Sequence, residues 1–101
     1  MNEFKVFLPV AEAISKLFPQ AEVVIHNLGT GKITALYNNL SKRKVGDASL
    51  IEELPDYSHL PDCFEIYEKA NWDGRKLKSI TATLKNQKGK PIGLLCINLD
   101  L

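Results

Sequence analysis

Gly93-Leu94-Leu95-Cys96-Ile97 is apolar at every step and lies within a longer run from Pro91 to Leu99. A strand wetted on one side alternates apolar and polar residues, whereas one apolar throughout is covered on both faces. The run therefore predicts a central β-strand, buried on both sides by its own chain or on one side by a partner subunit. Upstream of it, Lys76–Lys85 alternates in the manner of a half-buried strand, and Asn86-Gln87-Lys88-Gly89 supplies the turn between the two. Phe64–Ala70 is a third strand. It is joined to the second by Asn71-Trp72-Asp73-Gly74, whose Asp-Gly pair is a strong turn signal.

Further from this meander, Glu22-Val23-Val24-Ile25-His26-Asn27-Leu28 is short and rich in β-branched residues, and it stops at Gly29-Thr30-Gly31. Ile33-Thr34-Ala35-Leu36-Tyr37 returns as the second half of a hairpin and ends at Asn38-Asn39. Before them, Phe7, Val10, Ala11, Ile14, Leu17 and Phe18 recur at three- and four-residue steps, the spacing of one helical face. Pro9 fits only the first turn of that helix or a kink, and Pro19 ends it by forcing Phe18 out of the helical region. Between Leu40 and Cys63 there is no long periodic run. Val45-Gly46-Asp47 forms a turn, Ser49 is placed to cap a short helix through Leu54, and Pro55 and Pro61 keep the chain irregular. The prediction is α+β: five antiparallel strands with an N-terminal helix and short helices on one face.

The 101 residues amount to one domain, an N-terminal helix in residues 1–20 and a core in residues 21–101. An apolar content of 45% fills one core and excludes a disordered chain. A net charge of +1 excludes a strong overall footprint for nucleic acid. The charge is nevertheless uneven, with seven acidic and no basic groups in residues 45–68, then seven basic and one acidic in residues 69–90. No aromatics interleave those lysines as a stacking platform requires, so they read as hairpin lysines that keep strand edges soluble. No apolar stretch approaches the length of a membrane span, and no signal-peptide cleavage site follows the N-terminal segment.

Chemistry-bearing motifs are sparse. His59 and Cys63 have a spacing that suits two metal ligands on a helix, but Pro61 breaks that helix, and only His26 and Cys96 remain to complete a zinc site. Cys96 lies in the most apolar strand, where burial makes a thiol inert. There is no nucleophile elbow, phosphate loop or zinc-protease motif. Catalysis is therefore not expected. His26 and Asn98 are polar residues in otherwise apolar strands, and a polar group without a partner costs about 1–3 kcal/mol on burial. Either they meet a polar ligand in a cavity, or they bond to the backbone or to one another. Ser79, Thr81 and Thr83 share one face of their strand and offer hydroxyls to the same space.

The ordered set Glu22–Leu28, Arg43-Lys44-Val45-Gly46-Asp47, Asp73–Ser79 and Gly93–Asp100 resembles the YheO-like PAS domain, the sensory half of a group of bacterial transcription regulators. The resemblance covers roughly residues 8–101. It implies a PAS fold with sheet order 2-1-5-4-3, which puts the His26 strand beside the Asn98 strand at the sheet centre. It also implies a small ligand between sheet and helices, and dimerisation through the N-terminal helix or the outer sheet face. The family's helix-turn-helix follows its PAS domain, and none is present in this chain, which reads as an excised sensor. Asn27 stands where the family usually has Asp, and Ile80 where a second Ser is frequent.

These readings combine into a non-catalytic, cytoplasmic PAS-type sensor of a small polar metabolite, forming a homodimer and touching neither nucleic acid nor membrane itself. His26, Asn98, Ser79 and Thr81 are the expected polar contacts, with Cys96 and Tyr67 as pocket wall. No pattern points to haem, flavin or another cofactor. The alternative is a dimerisation module with a solid, ligand-free core, consistent with the apolar helix stripe and the two-faced apolar strand.

Overall fold

A computed structural model describes residues 3–49 and 60–100. A 3-10 turn, Lys5–Phe7, leads into helix α1, Leu8–Leu17. The strands are β1 (Ala21–Asn27), β2 (Lys32–Tyr37), β3 (Tyr67–Ala70), β4 (Lys76–Lys85) and β5 (Pro91–Asp100). They form a single antiparallel sheet in the order β2-β1-β5-β4-β3. The all-apolar run thus occupies the central strand, and the PAS-like α+β architecture is the one expected. The short helix anticipated from Ser49 to Leu54 lies mostly outside the described residues.

Pro9 sits in the first turn of α1, where no N–H is needed, and Phe18 leaves the helical region before Pro19. The helix packs over β1 and β2. Phe4, Ala11, Val23, Ile25, Ala35, Leu84 and Leu95 form the core on this outer face, with Phe7 and Ile14 against it. The expected stripe divides, because Val10, Leu17 and Phe18 point to solvent while Ala11 and Ser15 are buried. Small side chains at the contact let the helix approach the strand closely. The Ser15 hydroxyl is satisfied in place by donating to the Glu12 carbonyl at 2.7 Å.

The reverse, inner face carries a second core of Val24, Ile33, Leu94 and Cys96, with Leu60 and Phe64 packed on it. Because β2 and β3 sit on opposite edges, the chain between them has to cross one face of the sheet. Residues 40–43 of it lie on the inner one, bonded to Glu22. Asn71 Nδ2 and Trp72 Nε1, at the β3–β4 turn, both donate to the carbonyl of Leu40, at 2.8 and 3.0 Å. The Lys42 ammonium stands 3.7 Å from the centre of the Trp72 ring, a cation–π contact that fixes the same loop. Further on, Asp47 and Ala48 pair with the free edge of β2.

β3 is shorter than the sequence predicts. Cys63 pairs with Ala82 and Tyr67 with Ser79, so the register slips by one residue between them. The slip interrupts the ladder over Glu65 and Ile66, just after Phe64, whose side chain packs on the inner core.

Candidate functional site

Side chains alternate across a pleated sheet, so register decides which of them share a face. Glu22 pairs with Asn98, Asn98 with Ser79 and Ser79 with Tyr67, giving a polar row across β1, β5, β4 and β3. The next row holds Val24, Cys96 and Thr81, and the one beyond it His26, Leu94 and Thr83. All six residues singled out from the sequence (His26, Tyr67, Ser79, Thr81, Cys96 and Asn98) therefore lie on the inner face. Ile80 falls on the outer face with its partner Ile97. That face is where α1 packs, so the N-terminal helix and the polar rows lie on opposite sides of the sheet.

Asn98 is fully buried, and both of its side-chain polar atoms are bonded. Its Oδ1 accepts from Ser79 Oγ at 2.9 Å, and its Nδ2 donates to Glu22 Oε1 at 3.2 Å. Thr81 joins the rows, with its hydroxyl 3.0 Å from Tyr67 Oη and 3.3 Å from Cys96 Sγ. Burial pushes the Cys96 thiol and the Tyr67 phenol above their ordinary pKa values, leaving both protonated near neutrality.

His26 differs from these. It is 4% exposed, and its Nδ1 has no hydrogen-bond partner among the described residues. Burial, together with the charges of Arg43 and Lys69, holds its pKa down at about 4, so the ring is neutral at pH 7. It does not bond to Asn98. The two are offset by four residues along β1, which is about 13 Å at the usual strand rise. Ser49 Oγ is likewise buried and unpartnered among the described residues.

Sequence reasoning missed the centre of the charge network. Glu22 has no exposed surface, yet it accepts five hydrogen bonds. Oε2 takes the N–H groups of Leu40 and Ser41, both at 2.9 Å, and the Ser41 hydroxyl at 2.7 Å. Oε1 takes Asn98 and an Nη2 hydrogen of Arg43 at 3.1 Å. Burial by itself raises the carboxyl's pKa, but the Ser41 bonds and Arg43 outweigh it, and the net shift is downward. The available clue was period two, since Glu22 shares a face with Val24 and His26. Lys69 was also missed. Half-buried, it lies on the inner face of β3 opposite Leu77, two residues from Tyr67.

Among the described residues no group of three or more His, Cys, Asp or Glu side chains is placed to hold a metal. His59, weighed above as a zinc ligand, lies outside the described residues; Cys63 is exposed and Cys96 buried. Likewise, no helix among the described residues is long and apolar enough to cross a membrane.

The family model of the YheO-like PAS domain matches residues 1–101. The transcriptional regulator DauR of Pseudomonas aeruginosa is 42% identical over 93 residues, an alignment that covers 91% of this chain and 44% of that protein. The chain thus spans less than half the length of this relative. No solved structure matches. With the family model matched along its whole length and a curated relative at that identity, the chain belongs to the YheO-like PAS domain family.

Proposed function

We propose that this domain is the sensory module of a transcription regulator, a non-catalytic fold that binds a small polar metabolite against the inner face of its sheet. The observation that carries this reading is the His26 Nδ1, which has no partner among the described residues. Glu22, Asn98, Ser79, Thr81 and Tyr67 on the same face all have partners, whereas a buried donor or acceptor left alone costs about 1–3 kcal/mol. A ligand atom bonded there recovers that cost. His26 makes the ligand contact, with Tyr67, Thr81 and Cys96 on the same face, while Asn98 and Ser79 hold the sheet end of the site in shape through Glu22. The relative's description as a transcriptional regulator supports the regulatory role. In this reading DNA contact belongs to a separate helix-turn-helix segment, and the domain acts in the cytoplasm without a cofactor. A ligand shifts such a module only by as much as it prefers one of two arrangements.

The test is a melting-temperature screen of the purified domain against amino acids, nucleobases and small acids, repeated with His26→Leu. A ligand at 100 times its Kd adds about 2.7 kcal/mol, a readable upward shift for a domain of this size. Failure of every class to stabilise the wild type, or equal stabilisation of the variant, counts against the assignment.

Exposed apolar surface favours a second reading, in which the domain also pairs with a copy of itself. Val6, Val10 and Leu17 stand 72%, 53% and 72% exposed. A groove of about 230 Å³ lined by Ile66, Ile80, Ile97 and Leu99 runs along the outer face. Light scattering across concentration tests it, and a persistent monomer rejects it.

A further inference from the structure

The basic run in residues 69–90 reads from sequence as solvated hairpin charge, and most of it is. Arg75 pairs with Asp73 and Asp100, Lys85 pairs with Asp62, and Lys76, Lys78, Lys88 and Lys90 are exposed. Lys69 is the exception. It lies on the inner face, half-buried, in the row next to that of Tyr67 and Ser79. It has no ion pair or hydrogen bond among the described residues, so none of its three N–H donors is taken up by them.

The rest of that face is already balanced. Glu22 is ionised and neutralised by Arg43, whose Nε is committed to Ser41 Oγ at 2.8 Å. His26 is neutral, and Cys96 and Tyr67 are protonated. Lys69 therefore leaves the described inner face with one unmatched positive charge, on the same face as the His26 ring and near enough to bear on its charge.

We propose that Lys69 anchors a carboxylate of the ligand, so that the compound sensed is a small organic acid or amino acid rather than a neutral or cationic metabolite. This rests on reading the inner face as the ligand site. One ammonium with three donors suits a singly charged carboxylate. A phosphate carries nearly two charges and is usually met by several cations or a cradle of backbone N–H groups, and Arg43 is not free to serve. Burial and the Arg43 charge both lower the pKa of Lys69, and a bound carboxylate reverses that shift.

The experiment uses the whole chain with propionate, succinate and L-alanine, each paired with its primary amide, and inorganic phosphate as a separate arm. NMR follows the His26 ring and the Lys69 side chain. The expected result is that an acid perturbs the His26 ring and raises the Lys69 pKa, while its amide does neither. Lys69→Met weakens that acid by roughly tenfold or more, and Lys69→Arg retains it. The free Lys69→Met protein melts no lower than the wild type, because no ion pair among the described residues is lost. Four results overturn the inference. An amide that binds at His26 as well as its acid, with undiminished affinity in Lys69→Met, rejects the carboxylate anchor and leaves the sensor reading standing. Binding of phosphate in preference to every acid rejects the carboxylate in the same way. A lower melting temperature for free Lys69→Met assigns the cation to an internal partner. Silence of the His26 ring toward every compound, in a folded protein, rejects the anchor and the inner-face site together.

Discussion

Asn98 Nδ2 donates to Glu22 Oε1 at 3.2 Å, joining residues 76 positions apart across the two central strands. The bond belongs to a shell in which a carboxylate with no exposed surface is solvated entirely by its own chain. Its donors are two backbone N–H groups, a hydroxyl, an amide and a guanidinium. Four of these come from residues 40–43, so the carboxylate also ties that loop to the sheet centre.

Breaking that shell from the outside is costly. Arg43→Met removes the positive charge and leaves Glu22 buried beside its remaining donors. Losing one partner of a buried pair costs about 3–5 kcal/mol. Because the Arg43 side chain is 27% exposed and the other four bonds persist, about 2 kcal/mol is expected, measured by urea denaturation at pH 7. Glu22 keeps a folded pKa below its unfolded value near 4.5. Its stabilisation is present above that pH and is lost as pH falls through the folded value, and Arg43→Met moves this loss to higher pH.

His26 imposes a different pH dependence. Its pKa is 6.5 when unfolded and about 4 when folded, with Arg43, Lys69 and Glu22 as the charges that bear on it. Between those values the unfolded state holds the extra proton, so stability falls as pH drops from about 6.5 toward 4 and is level above that window. The full effect is about 3 kcal/mol. His26→Gln flattens the slope; a slope unchanged in the variant assigns it elsewhere. Denaturation midpoints between pH 4.5 and 7.5 decide.

The two thiols separate by access. Cys63 is exposed, while Cys96 is buried with a raised pKa. Alkylation of the native protein is expected to consume one thiol quickly and the second only on unfolding. Cys63→Ser removes the fast phase, and a fast phase that survives it shows that the inner face opens readily.

Gly93 is required by a close approach. A Cβ there sits 2.5 Å from the His26 carbonyl oxygen and 2.5 Å from the Phe4 ring. The His26 carbonyl belongs to the β1 backbone, held in the sheet, and cannot give way. Gly93→Ala is therefore expected to lose about 1–3 kcal/mol by overpacking, read as a lower melting temperature. Gly89→Ala tests another mechanism, since Gly89 has a φ of 79° and open space around its Cα. Its cost is backbone strain alone, about 1–2 kcal/mol.

Much of the architecture was legible because local patterns carry it. The apolar run at residues 93–97 identifies a strand covered on both faces, and Asp73-Gly74 and Gly29–Gly31 mark turns at the observed places. Pro9 and Pro19 bound the helix for covalent reasons. Alternation within β4 put Ser79 and Thr81 on one face, as found. The early end of β3 was hidden, because a one-residue slip against β4 leaves no trace in composition. The orientation of α1 was hidden too. Its apolar positions are numerous enough to offer two faces, and fit against β1 selected the one bearing Ala11 and Ser15.

Sequence by itself determined which segments are strands, where they turn, and that His26 and Asn98 are polar residues held in apolar strands. Those facts depend on near neighbours along the chain, whose torsions and alternation are local physics. Only the tertiary structure decided that both polar atoms of Asn98 are bonded, that Glu22 and Arg43 neutralise each other, and that His26 Nδ1 and Lys69 find no partner among the described residues. Hydrogen bonds and ion pairs act over a few ångströms in space, and the partners of Glu22 come from positions 40–43 and 98, brought within reach by the crossing loop and the β1–β5 pairing.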